Sequence, residues 1–148
     1  MGKICFFAGH RNCSCNGEMY NAVYKEAEKL IVSQGVTEFW VGRYGNFDAV
    51  ATQVVDDLRK KYDIKLYLVI PYVTVDITKE AEKFYDEIIM ADVPEKTPAR
   101  YKILKCNEYA VKEADFLIHA VAFGFGGAAK TLEYARKQGI KCIHIEVL

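Results

Sequence analysis

Short apolar runs alternate along this chain with longer amphipathic segments, and this alternation constrains the fold more than any other feature. Five runs, each apolar at almost every position, read as strands: residues 3–8, 38–41, 65–70, 116–120 and 141–146. Strands without a polar side are typical of a parallel sheet that is covered by helices on both faces. The sequence therefore predicts an α/β fold, a Rossmann-like three-layer sandwich with a mainly parallel sheet.

Apolar residues at helical spacing predict helices between these strands. The first begins at residue 16 or 17 and ends at residue 34, and the others span residues 47–62, 78–89, 102–114 and 128–138. Gly139 is the expected cap of the last helix. Residues 92–97 form either a short strand or a loop. The irregular segments 72–76 and 92–100 form either flaps over a binding site or part of a subunit interface.

The composition limits the size, the binding partners and the cellular environment that can be expected for this protein. A chain of 148 residues, 51% of them hydrophobic, has the size and core of one domain, which we assign to residues 1–148. Twenty basic and twenty acidic residues give a net charge of zero, so binding to nucleic acid or to an anionic membrane is not expected. No membrane span or signal peptide is recognised, which predicts a cytoplasmic protein. The five cysteines are expected to be reduced thiols.

A glycine-rich turn joins the fifth strand to the last helix at residues 124–135. Glycine lets a ligand approach the backbone closely, and the first turn of a helix offers unpaired N–H groups to an anion. We therefore expect the turn around Phe125, Gly126, Gly127 and Ala128 to hold the phosphate of a nucleotide or sugar phosphate. Thr131 is expected to add its hydroxyl, and Phe125 is a candidate for stacking on a base.

Two other loops should meet this turn, because ligands of parallel sheets bind beyond the carboxyl ends of the strands. These loops span residues 9–17 and 42–47 and contain Gly9 and Gly42. His10 and Arg11 follow the first strand directly and are expected to contact the ligand and neutralise its charge.

Arg43 and Asp48 leave two interpretations each. Arg43 is either a phosphate clamp with paired donors or a solvated loop residue. Asp48 either serves only to cap the second helix, or it fixes the loop or contacts a ribose hydroxyl. Tyr44 belongs to the same loop and is a second candidate for stacking on a base.

No metal or cofactor is predicted. His10, Cys13 and Cys15 are close in sequence, but their spacing has no second cluster of ligands to complete a zinc site. The first strand is not followed by the Gly-x-Gly-x-x-Gly turn of dinucleotide-binding enzymes, which argues against a dehydrogenase.

Several segments carry a resemblance to a known family. Residues 6–11 resemble the Thr/Ala-Gly-His-Arg start of the YpsA-like branch of the SLOG superfamily. Further landmarks fall in the same order at residues 42–48, 70–72, 107–118 and 126–135. The resemblance implies a Rossmann-like fold that holds a nucleotide or a nucleotide derivative between two glycine loops, often in a homo-oligomer. Some members of the superfamily are enzymes and others are sensors.

The LOG branch of the superfamily suggests an enzymatic alternative. Its Pro-Gly-Gly-x-Gly-Thr-x-x-Glu turn supplies a catalytic glutamate, and Glu133 falls on that acid. Cleavage of an N-glycosidic bond needs such a carboxylate. However, Phe125, Ala129 and Lys130 replace the proline, a glycine and the threonine, which argues against an intact hydrolase site.

Two hypotheses therefore stand: a protein that senses or sequesters a nucleotide derivative, and a phosphoribohydrolase with Glu133 as its catalytic carboxylate. Under the first, Glu133 is an exposed helix residue paired with Arg136 or Lys137. A DprA-like binder of single-stranded DNA is disfavoured by the zero net charge.

Overall fold

The computed structural model describes residues 2–10, 17–71, 79–121 and 124–145. The strands within these ranges are β1 (Lys3–Gly9), β2 (Val36–Val41), β3 (Lys65–Ile70), β4 (Glu87–Met90), β5 (Phe116–Ala120) and β6 (Lys141–His144). The helices are α1 (Gly17–Gln34), α2 (Asn46–Arg59), α3 (Lys79–Phe84), α4 (Ala99–Glu113) and α5 (Gly127–Gln138). The strands form one sheet in the order β4-β3-β2-β1-β5-β6, and every neighbouring pair is parallel.

Helices cover the sheet on both faces. Along β1, Cys5 and Phe7 point into a core formed with α1 and α2, whereas Phe6 and Ala8 point into a core formed with α4 and α5. Successive side chains of a strand alternate between faces, so two covered faces require apolar residues at every position. The predicted three-layer Rossmann-like fold is therefore confirmed, and the sheet is parallel throughout.

The strand order reverses at the centre of the sheet. From β1 the chain runs through α1 to β2 on one side, and from β5 it runs through α5 to β6 on the other. Because α1 and α5 pack on opposite faces, their connections diverge beyond the paired ends of β1 and β5. Such a point of divergence leaves a crevice, which is where open α/β sheets bind ligands.

One predicted helix is wrong in its second half. The structure ends α3 at Phe84 and forms β4 from residues predicted to be helical. The Asp86 N–H donates to the Leu66 carbonyl, and the Asp86 carboxylate accepts from the Leu66 N–H. These bonds start the parallel pairing of β4 with β3. Tertiary pairing therefore overrides the local helical preference.

The remaining boundaries follow the sequence closely. Gly139 has a left-handed φ of 77° and caps α5 as predicted. Residues 92–97 are turns rather than a strand, and α4 begins after Pro98. Residues 72–76 and Glu146 lie outside the described residues. No helix in the described ranges has the length and apolar character to cross a membrane.

Candidate functional site

A cavity of about 380 Å³ opens beside the carboxyl end of β1 and the head of α5. Three predicted loops and α4 provide its walls, which are formed by Phe6, Phe7, Ala8, Gly9, His10, Gly42, Tyr44, Asp48, Ile103, Asn107, Phe125, Gly126, Gly127 and Ala128. The structure thus brings together most of the residues that the sequence singled out. We call this space the main cavity.

Close packing of two loops fixes one wall of the main cavity. A Cβ atom on Gly9 would lie 2.3 Å from Cγ of Phe47, so only glycine fits at this position. The Phe47 side chain is 1% exposed and its ring tilts against Phe7 at a centroid distance of 6.4 Å. Glycine at the end of β1 therefore lets the start of α2 pack directly on the strand.

The head of α5 forms the opposite wall. Gly126 precedes the helix with a left-handed φ of 94°, and no side chain in the described part of the chain caps this end. The first N–H groups of an α-helix have no partner within the helix, and they carry the positive end of its dipole. The walls at Gly126, Gly127 and Ala128 can therefore bind an anion through the backbone.

A hydrogen-bonded pair of side chains braces this helix head from α4. The Thr131 hydroxyl donates to the Gly127 carbonyl at 2.9 Å, so its oxygen must accept the contact from Asn107, at 3.2 Å. This orients the Asn107 amide with its NH₂ group toward Thr131. The Asn107 carbonyl oxygen takes no part in this pair, and Asn107 lines the main cavity.

Thr131 departs from the sequence-based expectation. It was expected to add a hydroxyl to a bound phosphate, but it is fully buried and absent from the cavity walls. Its hydroxyl proton is already donated to the Gly127 carbonyl. Thr131 therefore braces the turn, and Asn107 occupies the position facing the cavity.

Asp48 is the acidic group of the main cavity. Its carboxylate accepts from the Tyr44 N–H at 2.9 Å, which fixes the loop after β2. Burial raises the pKa of Asp48 from 3.8 to about 6, an effect that this hydrogen bond opposes. The predicted ordering of the loop is thus visible in the structure, while contact with a ligand hydroxyl stays a prediction.

The basic residues are arranged differently from the sequence-based expectation. Burial lowers the pKa of His10 from 6.5, so its ring is neutral at physiological pH and offers hydrogen bonds rather than charge. Arg11 lies outside the described residues. Among the described residues that line the main cavity, none is lysine or arginine.

Arg43 was expected to contact the ligand, but it does not line the main cavity. It lies on the wall of a neighbouring cavity of about 310 Å³, which we call the second cavity. The walls of the second cavity are formed by Gly42, Arg43, Gly45, Asp48, Ala49, Thr52, Gln53 and Tyr85. Gly42 and Asp48 belong to both cavities.

Glu133 also lies away from the main cavity. Its side chain is 66% exposed, and a carboxylate oxygen is 3.2 Å from Nζ of Lys137 one helical turn later. It is absent from the cavity walls. A catalytic carboxylate must reach the reacting bond, so this geometry does not favour the predicted role of Glu133 in a phosphoribohydrolase.

Replacement of Glu133 with glutamine is expected to change little. An exposed pair at this spacing stabilises a helix by about 0.2–0.5 kcal/mol, and its loss should lower the free energy of unfolding by no more than that. Urea denaturation measures the change, and calorimetry measures nucleotide binding. Release of base from a nucleotide by the wild type that is lost in this variant, with nucleotide binding intact, would restore the enzymatic hypothesis.

Two cavity residues on α4 were missed by the sequence analysis, as were Phe6, Phe7 and Ala8 of β1. Ile103 and Asn107 lie on the same stripe of α4 as the buried Cys106 and Ala110. A polar residue within an otherwise apolar helical stripe is the signal that could have found Asn107.

Metal-binding groups are not evident in the described residues, where no cluster of three or more His, Cys, Asp or Glu side chains could hold an ion. Cys13 and Cys15 lie outside those residues. The cysteines that are described, Cys5, Cys106 and Cys142, are free thiols as predicted.

Comparison with known proteins supports the fold. No family model and no curated protein matches the sequence. DNA processing protein A (DprA) from Streptococcus pneumoniae superposes with a TM-score of 0.72 at 18% identity, over 99% of this chain and 51% of DprA. The chain has a DprA-like Rossmann fold. It spans about half the length of DprA.

A second solved structure shares the architecture. The Moco carrier protein from Chlamydomonas reinhardtii superposes with a TM-score of 0.61 at 14% identity, over 99% of this chain and 78% of that protein. These likenesses agree with the fold that the SLOG resemblance implies. Assignment to the YpsA-like branch stays a prediction.

Proposed function

We propose that this protein binds a nucleotide or a nucleotide-derived small molecule in the main cavity, with a phosphate at the head of α5. It acts by holding the ligand, as a sensor or as a sequestering protein. The observation that carries the proposal is the opening of the α5 head, with its unpaired N–H groups, into a cavity at the reversal point of a parallel sheet.

The phosphate is assigned to the backbone of Gly127 and Ala128. A helix N-terminus binds anions through its N–H groups and its dipole, without a basic side chain. This suits a cavity whose described walls contain no lysine or arginine. The brace between Asn107 and Thr131 holds the first turn of α5 in place before the ligand arrives.

The sugar and the base are assigned to the other walls. Asp48 and the Asn107 carbonyl oxygen are acceptors, which suit ribose hydroxyls. Tyr44 and Phe125 provide aromatic rings at the same cavity, and such rings stack on nucleobases. A phosphorylated nucleoside therefore matches the donors, acceptors and rings in one space.

One of the two structural likenesses is compatible with ligand binding, because a protein named as a carrier of Moco shares the fold. The exposed position of Glu133 gives no support to N-glycosidic cleavage by that residue. The SLOG resemblance further implies a homo-oligomer, and that prediction, like a cytoplasmic location, is part of the proposal.

The decisive variant is Gly127→Asp. A Cβ atom at Gly127 would meet no atom within 4 Å, so the side chain fits. An acid in the first turn of a helix stabilises it by about 0.3–1 kcal/mol. A carboxylate at the phosphate position places like charges together, which costs several kcal/mol, so nucleotide affinity should fall by about 100-fold or more. Calorimetry with the four ribonucleoside 5′-monophosphates measures the loss.

Gly124→Asp is the matched control. This variant adds the same charge three positions earlier, where a Cβ atom would also meet no atom within 4 Å. Gly124 does not line the main cavity. We expect this variant to bind as the wild type does. Equal affinities in all three proteins, or the absence of binding by the wild type at millimolar nucleotide, would refute the proposed function.

A further inference from the structure

The second cavity and the main cavity lie next to each other and share part of a wall. Gly42 and Asp48 line both spaces. Gly42 has no side chain, and a Cβ atom there would lie 3.1 Å from Oδ2 of Asp48. The shared wall therefore includes the backbone of Gly42 and the Asp48 carboxylate, so the two cavities lie side by side.

The far side of this wall is rich in hydrogen-bond donors. Arg43 carries a guanidinium group, whose planar set of N–H donors matches a phosphate or carboxylate. Tyr85 adds a phenol. Burial raises the pKa of the Tyr85 hydroxyl, and nearby Asp48 raises it too, while Arg43 opposes the shift. The hydroxyl is therefore protonated at neutral pH and can donate to an anion.

We infer that the ligand carries a second anionic group, which lies against Arg43 and Tyr85 in the second cavity. This rests on the proposed function, since the first phosphate occupies the head of α5. Asp48 lies on the wall between the two cavities and accepts from the sugar hydroxyls. The ligand class is thus a nucleotide with anionic groups on both sides of a ribose, rather than a simple mononucleotide.

The charged residues of the two cavities support the placement of the two anionic groups in different cavities. The described walls of the main cavity contain one carboxylate and no lysine or arginine, so that space offers little to balance a second negative charge. The second cavity contains the same carboxylate and, in addition, the guanidinium group of Arg43. An additional phosphate is therefore accommodated beyond Asp48 and not beside the first phosphate.

The test compares probes that differ in the place of the second phosphate. Calorimetry is performed with the 5′-monophosphate, the 5′-diphosphate and the 3′,5′-bisphosphate of adenosine and of guanosine. We expect the bisphosphate to bind at least tenfold more tightly than the monophosphate of the same nucleoside. Arg43→Gln should remove this advantage and leave monophosphate affinity within about twofold. Tyr85→Phe, which keeps the ring, should reduce the advantage.

Arg100→Gln is the control, because Arg100 is an exposed arginine that lines neither cavity. It should leave all affinities unchanged. A bisphosphate that binds no better than the monophosphate, a preference for the diphosphate, or an equal loss of all probes in Arg43→Gln overturns the inference. The proposed function stands independently if Gly127→Asp still abolishes monophosphate binding, and both fall if no probe binds.

Discussion

Replacement of Gly9 with alanine is expected to lower the free energy of unfolding by about 3 kcal/mol, the upper end of the usual cost of overpacking. The new Cβ atom would lie 2.3 Å from Cγ and 2.5 Å from Cβ of Phe47. The Phe47 Cβ atom is close to the backbone, and the ring is buried, so the clash cannot be relieved by a simple rotation. Urea denaturation with an extrapolated free energy measures the effect.

A double-mutant cycle separates the clash from other effects of Gly9→Ala. Combined with Phe47→Ala, the substitution should cost less than the sum of the two single changes, because alanine lacks the Cγ atom and the ring that the new Cβ atom would meet. Gly17→Ala is the matched control, since a Cβ atom there meets nothing within 4 Å. Additive single costs, or equal costs at Gly9 and Gly17, would contradict this account of the loop packing.

Replacement of Asp48 with asparagine is expected to stabilise the unliganded protein at neutral pH by up to about 3 kcal/mol. Burial raises the pKa of Asp48 in the folded state from 3.8 to about 6. The folded protein therefore binds this proton more tightly than the unfolded chain, and stability falls as pH rises between those values. Asparagine removes the buried charge and keeps an oxygen to accept from the Tyr44 N–H.

The pH dependence provides the check. Wild type and Asp48→Asn should have equal stability below about pH 4, should diverge as the pH rises from about 4 to about 6, and should differ by a nearly constant amount above that range. Asp57→Asn provides a control of opposite sign. A hydrogen bond from the Tyr20 hydroxyl lowers the pKa of Asp57, so that variant should be less stable at neutral pH. A destabilised Asp48→Asn protein at neutral pH would contradict the prediction.

A residue on a cavity wall that lowers the free energy of unfolding is a sign that function constrains which residue stands there. Proteins retain a desolvated carboxylate where binding or chemistry requires it, at the expense of folding free energy. If Asp48→Asn is both more stable and weaker in nucleotide binding, the carboxylate serves the ligand. If binding is unchanged, the role of Asp48 is confined to the loop after β2.

Much of the fold was predictable because the relevant signals are local. Apolar runs such as residues 65–70 and 116–120 have the same bounds as β3 and β5. Gly139 indicates the end of α5, because only glycine adopts a left-handed backbone without strain. Glycines between strands and helices likewise located the loops that line the main cavity.

Features that depend on distant contacts could not be predicted in this way. Residues 87–90 have a strong helical neighbourhood, and only their parallel pairing with β3, which the bonds between Asp86 and Leu66 begin, identifies them as a strand. The spacing of Glu133 from the glycine turn matched a catalytic motif, but spacing alone does not show which way a helical side chain faces. The same limit hid Asn107, which the packing of α4 turns toward the cavity.

The position of β1 links completion of the fold to completion of the pocket. The strand β5 pairs with β1 on the side opposite to β2. Beside this pairing the Ile4 N–H donates to the carboxylate of Asp115, which is 111 residues away in the sequence. In a growing chain that lacks β5, the backbone N–H and C=O groups along one edge of the apolar strand β1 have no partner, and the head of α5 is absent. Such a chain is prone to associate with other chains. Under the proposed function, a nascent fragment that lacks β5 and α5 therefore has no complete ligand site.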